Sequence, residues 1–302
     1  MIVRPRPSLL KLFFVMHGSI VPRIAPHIFG FTLYAIAVVA VTKALKLDLS
    51  GYGLAPFALL GVTLSIYLGF RNNAAYDRWW EARKLWGQLI YEVRNLARET
   101  SALLPRDSGQ RRPMLMESLA FCHFLRGQLR SLDPSEVVKH FIGEELQLVR
   151  DPANRADAVL RRMGDRLATL KAAHQIDSMD FRILNERLSS LAAVQAGCER
   201  IGGTPLPFAY TLLLHRSAYV FCLLLPLGLA GLAGWGAPLF TALMTYSFFG
   251  LDALSEELED PFGMEANDLA LDSLCRICEI SVFEALGEAP PPLLEPVRSY
   301  YS

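Results

Sequence analysis

The charge-free stretches of this chain are long and few. Ile28–Thr42 reads IFGFTLYAIAVVAVT, and it reaches spanning length when Ile24–His27 and the aliphatic stem of Lys43 are added. Gly51–Phe70 carries no charge and has the length of one membrane helix. Ser217–Leu251 is also uncharged but too long for one crossing, and GLAGWGAP at 231–238 supplies a Gly/Pro-rich turn inside it. The pattern predicts four membrane helices, over 24–46, 51–71, 207–233 and 237–256. Between the second and third lies a polar stretch, 72–204, with leucines at helical spacing in LRRMGDRLATLK and FRILNERLSSLAAVQ, no strand-like alternation and no internal repeat. The expected fold class is an all-α membrane protein, its helices continuous with a cytoplasmic helical bundle. An arm over 1–23 precedes the bundle and a segment over 257–302 follows it.

Cations order the topology. Arg4, Arg6, Lys11 and Arg23 precede the first span, and Arg71, Arg78, Arg83 and Lys84 follow the second, whereas the last turn has none. Positively charged loops stay inside, so both termini and 72–204 are expected in the cytoplasm. The N-terminal arm lacks a small-residue cleavage site and reads as mature chain, an arm or interfacial helix. Composition agrees: 52% of residues are hydrophobic and mean hydropathy is +0.27. A formal net charge of zero argues against a nucleic-acid partner. Five irregularly spaced cysteines suit a reducing compartment, and the C-x-x-C of Cys275 and Cys278 has neither a second pair nor a nearby histidine, so it reads as two small apolar helix residues. The histidines form no H-x-x-x-H or H-E-x-x-H, and no G-x-S-x-G or P-loop occurs, so no enzyme is expected. His215-Arg216 is the ionisable pair inside the third span, either functional or packed against Glu or Asp of a neighbouring helix.

The second span has two special faces. Gly61, Ser65 and Gly69 repeat every four residues, a small-residue stripe that permits close helix approach. Beside it Val62, Ile66 and Phe70 form a bulky apolar stripe. Several copies around an axis would place the small stripe against a neighbour and stack the large one as rings that gate by dewetting. Lipid contact or helix packing would use the same residues. Asp77, seven residues past Phe70, returns to the apolar stripe, while Arg71 sits about a quarter-turn off it; both are candidate pore charges. Beyond the neck, Tyr76, Trp79, Trp80 and Trp86 suit the headgroup zone or the membrane-proximal bundle, and Arg78, Glu81 and Arg83 can pair along the helix.

Three blocks in order resemble the bestrophin family, in its bacterial branch: Phe70-Arg-Asn-Asn-Ala-Ala-Tyr-Asp-Arg-Trp-Trp-Glu81, Ile201-Gly-Gly-Thr-Pro-Leu-Pro-Phe-Ala-Tyr-Thr211, and Asp260-Pro-Phe-Gly263. The resemblance implies a homopentamer in the bacterial inner membrane, with one central pore lined by the second helices and a neck at Val62, Ile66 and Phe70. It implies a second aperture at Met179, with Ile176 as the alternative register. It also implies passive passage of small monovalent ions, with chloride as the family's cargo. The acidic collar of Asp77 keeps a sodium-conducting pore open as the alternative, and a non-conducting structural membrane protein remains a lesser one. The family's calcium clasp is only partly present: after Pro-Phe-Gly this chain reads Met264-Glu-Ala-Asn-Asp268, leaving Glu265 and Asp268 as the acidic matches. No cofactor is required on this reading, and a divalent cation, calcium or zinc, is left open there. Expected partners are further copies of the chain, membrane lipid and the permeant ions.

Overall fold

The computed structural model describes residues 15–16, 18–47, 53, 55–105 and 108–296. The basic arm over 1–14 and the entry to the second span at 51–52 and 54 lie outside them. Every regular element among the described residues is helical: α1 Val21–Ala44, α2 Ala55–Leu103, α3 Arg111–Leu129, α4 Ser135–Ile142, α5 Arg155–Ala172, α6 Ser178–Gly203, α7 Phe208–Ala233, α8 Ala237–Glu259 and α9 Leu271–Leu286, with 3-10 segments at Gly143–Val149 and Gly234–Gly236. The chain divides into two units. Among the described residues, one runs to Trp79 and takes Pro205–Asp260, and the other takes Trp80–Thr204 and the residues from Pro261 on.

The first unit is the apolar one. α1 and the stretch from α7 through α8 are long and apolar enough to cross a membrane. The expected turn falls on Gly234-Trp-Gly236, where Gly234 adopts φ +53°, the left-handed region that favours glycine. α7 starts directly after Pro207, and α8 takes Pro238 in its first turn, where a missing N–H costs nothing. The core is built from all four helices: Ile24 and Phe31 of α1, Leu64 and Leu68 of α2, Leu214, Phe221 and Leu225 of α7, and Phe248 and Phe249 of α8. Phe221 meets Phe248 edge to face at 5.1 Å.

α2 continues beyond the 51–71 span. It runs unbroken to Leu103, because no Pro interrupts its polar half, Gly87 is the one glycine there, and its buried positions keep a 3/4 spacing throughout: Leu64, Leu68, Arg71 and Ala75, then Ala82, Trp86, Leu89, Val93 and Leu96. Trp86 therefore belongs to the core of the second unit, the bundle placement of the two its sequence allowed. Glu81 pairs with Arg200 at 2.6 Å.

The second unit is organised around α3, which is buried almost all round from Met114 to Leu125 and contacts α4, α5, α6 and α9. Its polar side chains are partnered accordingly. Glu117 receives Arg162 and Arg166, at 3.3 and 2.9 Å. His123 meets Glu279 at 2.7 Å and stacks on Phe141. Caps set the flanking helices: Asn154 accepts from the Asp157 amide to start α5, and Asp177 and Asp180 form a reciprocal capping box on α6. Glu199 of α6 gathers amide donors from Gln128, Asn154 and Gln195 on one oxygen, at 2.8–2.9 Å. Burial pushes its carboxyl up, but those hydrogen bonds outweigh burial and hold it below the usual range.

Candidate functional site

The apolar stripe of α2 faces outward on the isolated chain. Val62 is 58%, Ile66 53% and Phe70 61% exposed, while Leu64 and Leu68 on the opposite face are buried. At 1.5 Å rise per residue the three side chains sit about 6 Å apart along the axis. Val62 and Ile66 also line an open groove of about 500 Å³ with Phe57, Gly61, Ser65 and Met244. The small stripe is not uniform. A Cβ on Gly61 would stand 3.4 Å from the Phe221 ring, in ordinary contact with α7 of the same chain. Ser65 is exposed, its hydroxyl donating to the Gly61 carbonyl at 2.8 Å, and a Cβ on Gly69 would meet nothing within 4 Å.

The two candidate charges separate cleanly. Asp77 is exposed on the same side as the apolar stripe. Arg71 is 0% exposed. It lies three residues after Leu68 and four before Ala75, on the inward stripe, and that spacing is the signal that could have placed it. Its guanidinium donates to Asp252 of α8 and lies 3.7 Å from Glu259. Asp252 in turn meets His215 Nδ1 at 2.9 Å. So Arg71 offers no open charge on the exposed stripe. His215 has the neighbouring-helix acid that its position called for, and Asp252 and Glu259 are the partners of Arg71. Nearby, His27 stacks on Phe249 at 4.7 Å and contacts the Tyr219 hydroxyl at 2.8 Å. Low-dielectric surroundings require such pairing, because an unpartnered buried charge costs several kcal/mol (about 3–5).

In the second unit Met179 is 60% exposed, at the start of α6, and Ile176 is buried. Only the methionine projects from this segment as a free apolar side chain. The Pro261–Ala270 loop is tied down from both sides. Arg130 donates to the carbonyls of Phe262 and Leu269, at 3.2 and 3.1 Å, and its guanidinium pairs with Asp272 at 2.8 Å. Asp268 is buried and accepts from the Glu265 amide at 2.7 Å. That carboxylate closes its own loop. Calcium takes six to eight oxygens, so the two carboxylates, one of them turned into the backbone, would supply only a minority of its shell. Among the described residues no three His, Cys, Asp or Glu side chains are grouped to hold a metal ion.

Cys275 and Cys278 are buried faces of α9, and all five cysteines are free and buried. A hydrogen bond with Cys278 and burial raise the Cys122 thiol well above its ordinary value, and burial does the same to Cys275. Burial pushes Cys198 up to about 12. None is poised as a nucleophile.

An outward apolar stripe, a continuous helix behind it and a buried Arg–Asp–His set within an all-helical membrane unit make comparison with known proteins specific. The Bacterial/Fungal Bestrophin protein family model matches residues 1–284. The chain belongs to that family. A voltage-dependent anion channel-forming protein of Mesorhizobium japonicum is 63% identical over 302 residues, covering 100% of this chain and 97% of that one. One from Escherichia coli is 44% identical, covering 99% of each. The crystal structure of a bacterial bestrophin homologue from Klebsiella pneumoniae superposes with a TM-score of 0.83 at 35% identity, covering 90% of this chain and 100% of the other. This bacterial bestrophin homologue is an all-α membrane protein and not an enzyme.

Proposed function

We propose that this bestrophin homologue forms an anion-conducting channel, a homopentamer in the bacterial inner membrane whose central pore is lined by the α2 helices. Each chain crosses four times, with both termini in the cytoplasm. Val62, Ile66 and Phe70 form three stacked apolar rings at the neck, and Met179 forms a flexible apolar aperture in the cytoplasmic bundle. The observation that carries this is the exposure of those three residues in line on α2, in a unit whose other large apolar side chains are shared between core and membrane-spanning surface. Three consecutive bulky side chains open to water would be costly on a lone chain, at about 25 cal/mol per Å² of apolar surface. Support for anions comes from the relatives, named as voltage-dependent anion channel-forming proteins. The neck passes ions by wetting and carries no ligand of its own, and conduction needs no resident divalent cation.

One observation favours a second reading, a sodium-conducting pore of the same architecture. Arg71, the cation nearest the neck, is buried and paired, whereas Asp77 is exposed on the stripe. Five such carboxylates would collect cations. Purified protein in planar bilayers under a NaCl gradient decides between them. A reversal potential near the chloride equilibrium value supports the anion channel, and one near the sodium value overturns it. The stoichiometry has its own test: light scattering in detergent should give protein mass of five times 33.6 kDa, about 168 kDa.

A further inference from the structure

The second unit holds a cluster of cations that conduction does not use. Arg94 and Arg98 of α2 and Arg111, the first residue of α3, line an open groove of about 550 Å³ together with Ser101, Ser281 and Glu284. Most arginines of this unit are matched to acids: Arg126 and Arg130 to Asp272, Arg162 and Arg166 to Glu117, Arg187 to Glu92. Among the described residues, Arg94, Arg98 and Arg111 have no carboxylate within ion-pair distance. They are nevertheless held in place by neutral groups. Arg94 Nε donates to the Ser281 hydroxyl at 3.0 Å, Arg98 to the side chain of Asn95, and Arg111 Nη2 to the Ala285 carbonyl at 2.8 Å. Arg111 Nε is buried with no hydrogen-bond partner.

Three guanidiniums facing one groove repel each other, and Glu284 is the one acid among its lining residues; Glu99, which also attracts Arg98, is engaged by Arg187 at 3.5 Å. Two further features favour a negative guest. Arg111 opens α3, so the positive end of that helix dipole adds to its charge, and Gln110 before it makes no side-chain cap. Ser101 and Ser281 add hydroxyls. Planar guanidiniums fixed in orientation bind phosphate oxygens two at a time, which spherical chloride cannot exploit. The volume falls in the range of small-molecule sites.

We propose that this groove binds a phosphate-bearing anion of two or more charges, held by Arg94, Arg98 and Arg111, at a site separate from the ion pathway. The phosphate is either that of a soluble phosphate compound or that of a phosphomonoester lipid headgroup.

The test uses the full-length protein in detergent and calorimetric titration with inorganic pyrophosphate in 150 mM chloride. A parallel arm uses native mass spectrometry with short-chain phosphatidic acid. Binding should be saturable at one site per chain and weaken at least tenfold in Arg98→Gln and in Arg111→Gln. Arg94→Lys, which keeps the charge but loses the fork, should weaken it several-fold. Pyrophosphate binding assigns the site to soluble phosphates, and retention of phosphatidic acid alone assigns it to a headgroup; both support the proposal. Absence of binding in both arms overturns it, as does binding unchanged in the Arg98→Gln/Arg111→Gln double variant. If that double variant instead breaks the assembly into smaller species, the arginines face a carboxylate of a second copy, and the proposal is also overturned.

Discussion

Replacing Asp252 by alanine strands the Arg71 guanidinium in a fully buried position. Removing one partner of such a pair costs about 3–5 kcal/mol, because the remaining charge keeps its desolvation penalty without its counter-charge. Glu259, 3.7 Å from Arg71, moderates the loss. At an effective dielectric of 20 that contact is worth about 4 kcal/mol as a Coulomb term, so Asp252→Ala falls at the lower end, about 3 kcal/mol. For a chain of this size each kcal/mol moves the unfolding midpoint by about 2–4 °C, which puts the variant about 6–12 °C below wild type. Arg71→Met combined with Asp252→Leu removes both charges and fills the space with apolar atoms, so it should lie within about 1 kcal/mol of wild type. Thermal unfolding of wild type, Arg71→Met, Asp252→Leu and the Arg71→Met/Asp252→Leu double variant in one detergent completes a double-mutant cycle. A double variant as unstable as the sum of its singles would refute the claim that Arg71 and Asp252 are each other's main partner.

Other consequences are as specific. Gly127→Ala should destabilise the α3 bundle by about 1–3 kcal/mol, because its Cβ would sit 2.6 Å from the Pro134 ring and 2.8 Å from the Leu132 carbonyl, both rigid; an unchanged denaturation midpoint would contradict that packing. Glu199 has its folded pKa lowered, so its contribution is present above the ordinary value of 4.5 and is lost as pH falls through the folded value. Glu199→Gln should therefore cost about 1 kcal/mol at pH 7, solvent screening keeping it small, with the gap to wild type closing at acid pH in denaturant titrations. Asp268→Ala should cost about 1–2 kcal/mol through loss of its bond to the Glu265 amide, equally with and without a calcium chelator. A loss seen only when calcium is present would assign a cation to that loop instead.

The parts of this protein legible in its sequence are those with local physics. Absence of charge over Ser217–Leu251 and the glycines at 234 and 236 specify two apolar helices and their turn. Four-residue spacing alone picks out Val62, Ile66 and Phe70, and they are exposed together. What was not legible depends on distant pairings. Arg71 is 181 positions from Asp252, and nothing near either residue names the other. Read by distance from Phe70 it looks like a pore charge; read by its 3/4 spacing with Leu68 and Ala75 it is a core residue. The same spacing assigns Trp86 to the helical bundle, the second of the two placements its sequence allowed. Gly61 shows the limit of a periodic stripe. Its spacing suggested approach of another copy, whereas its closest neighbour is Phe221 of the same chain.

The central claim is that the outward stripe of α2 borders water in the assembled protein. Ile66→Cys tests it with little background, since all five native cysteines are buried. A charged, membrane-impermeant methanethiosulfonate reagent is added to the variant during single-channel recording in a planar bilayer. Stepwise changes in unitary current, absent from wild type under the same treatment, are the predicted result. Currents untouched by the charged reagent, with the introduced thiol labelled only by a lipid-soluble maleimide, would put position 66 in lipid and contradict the account.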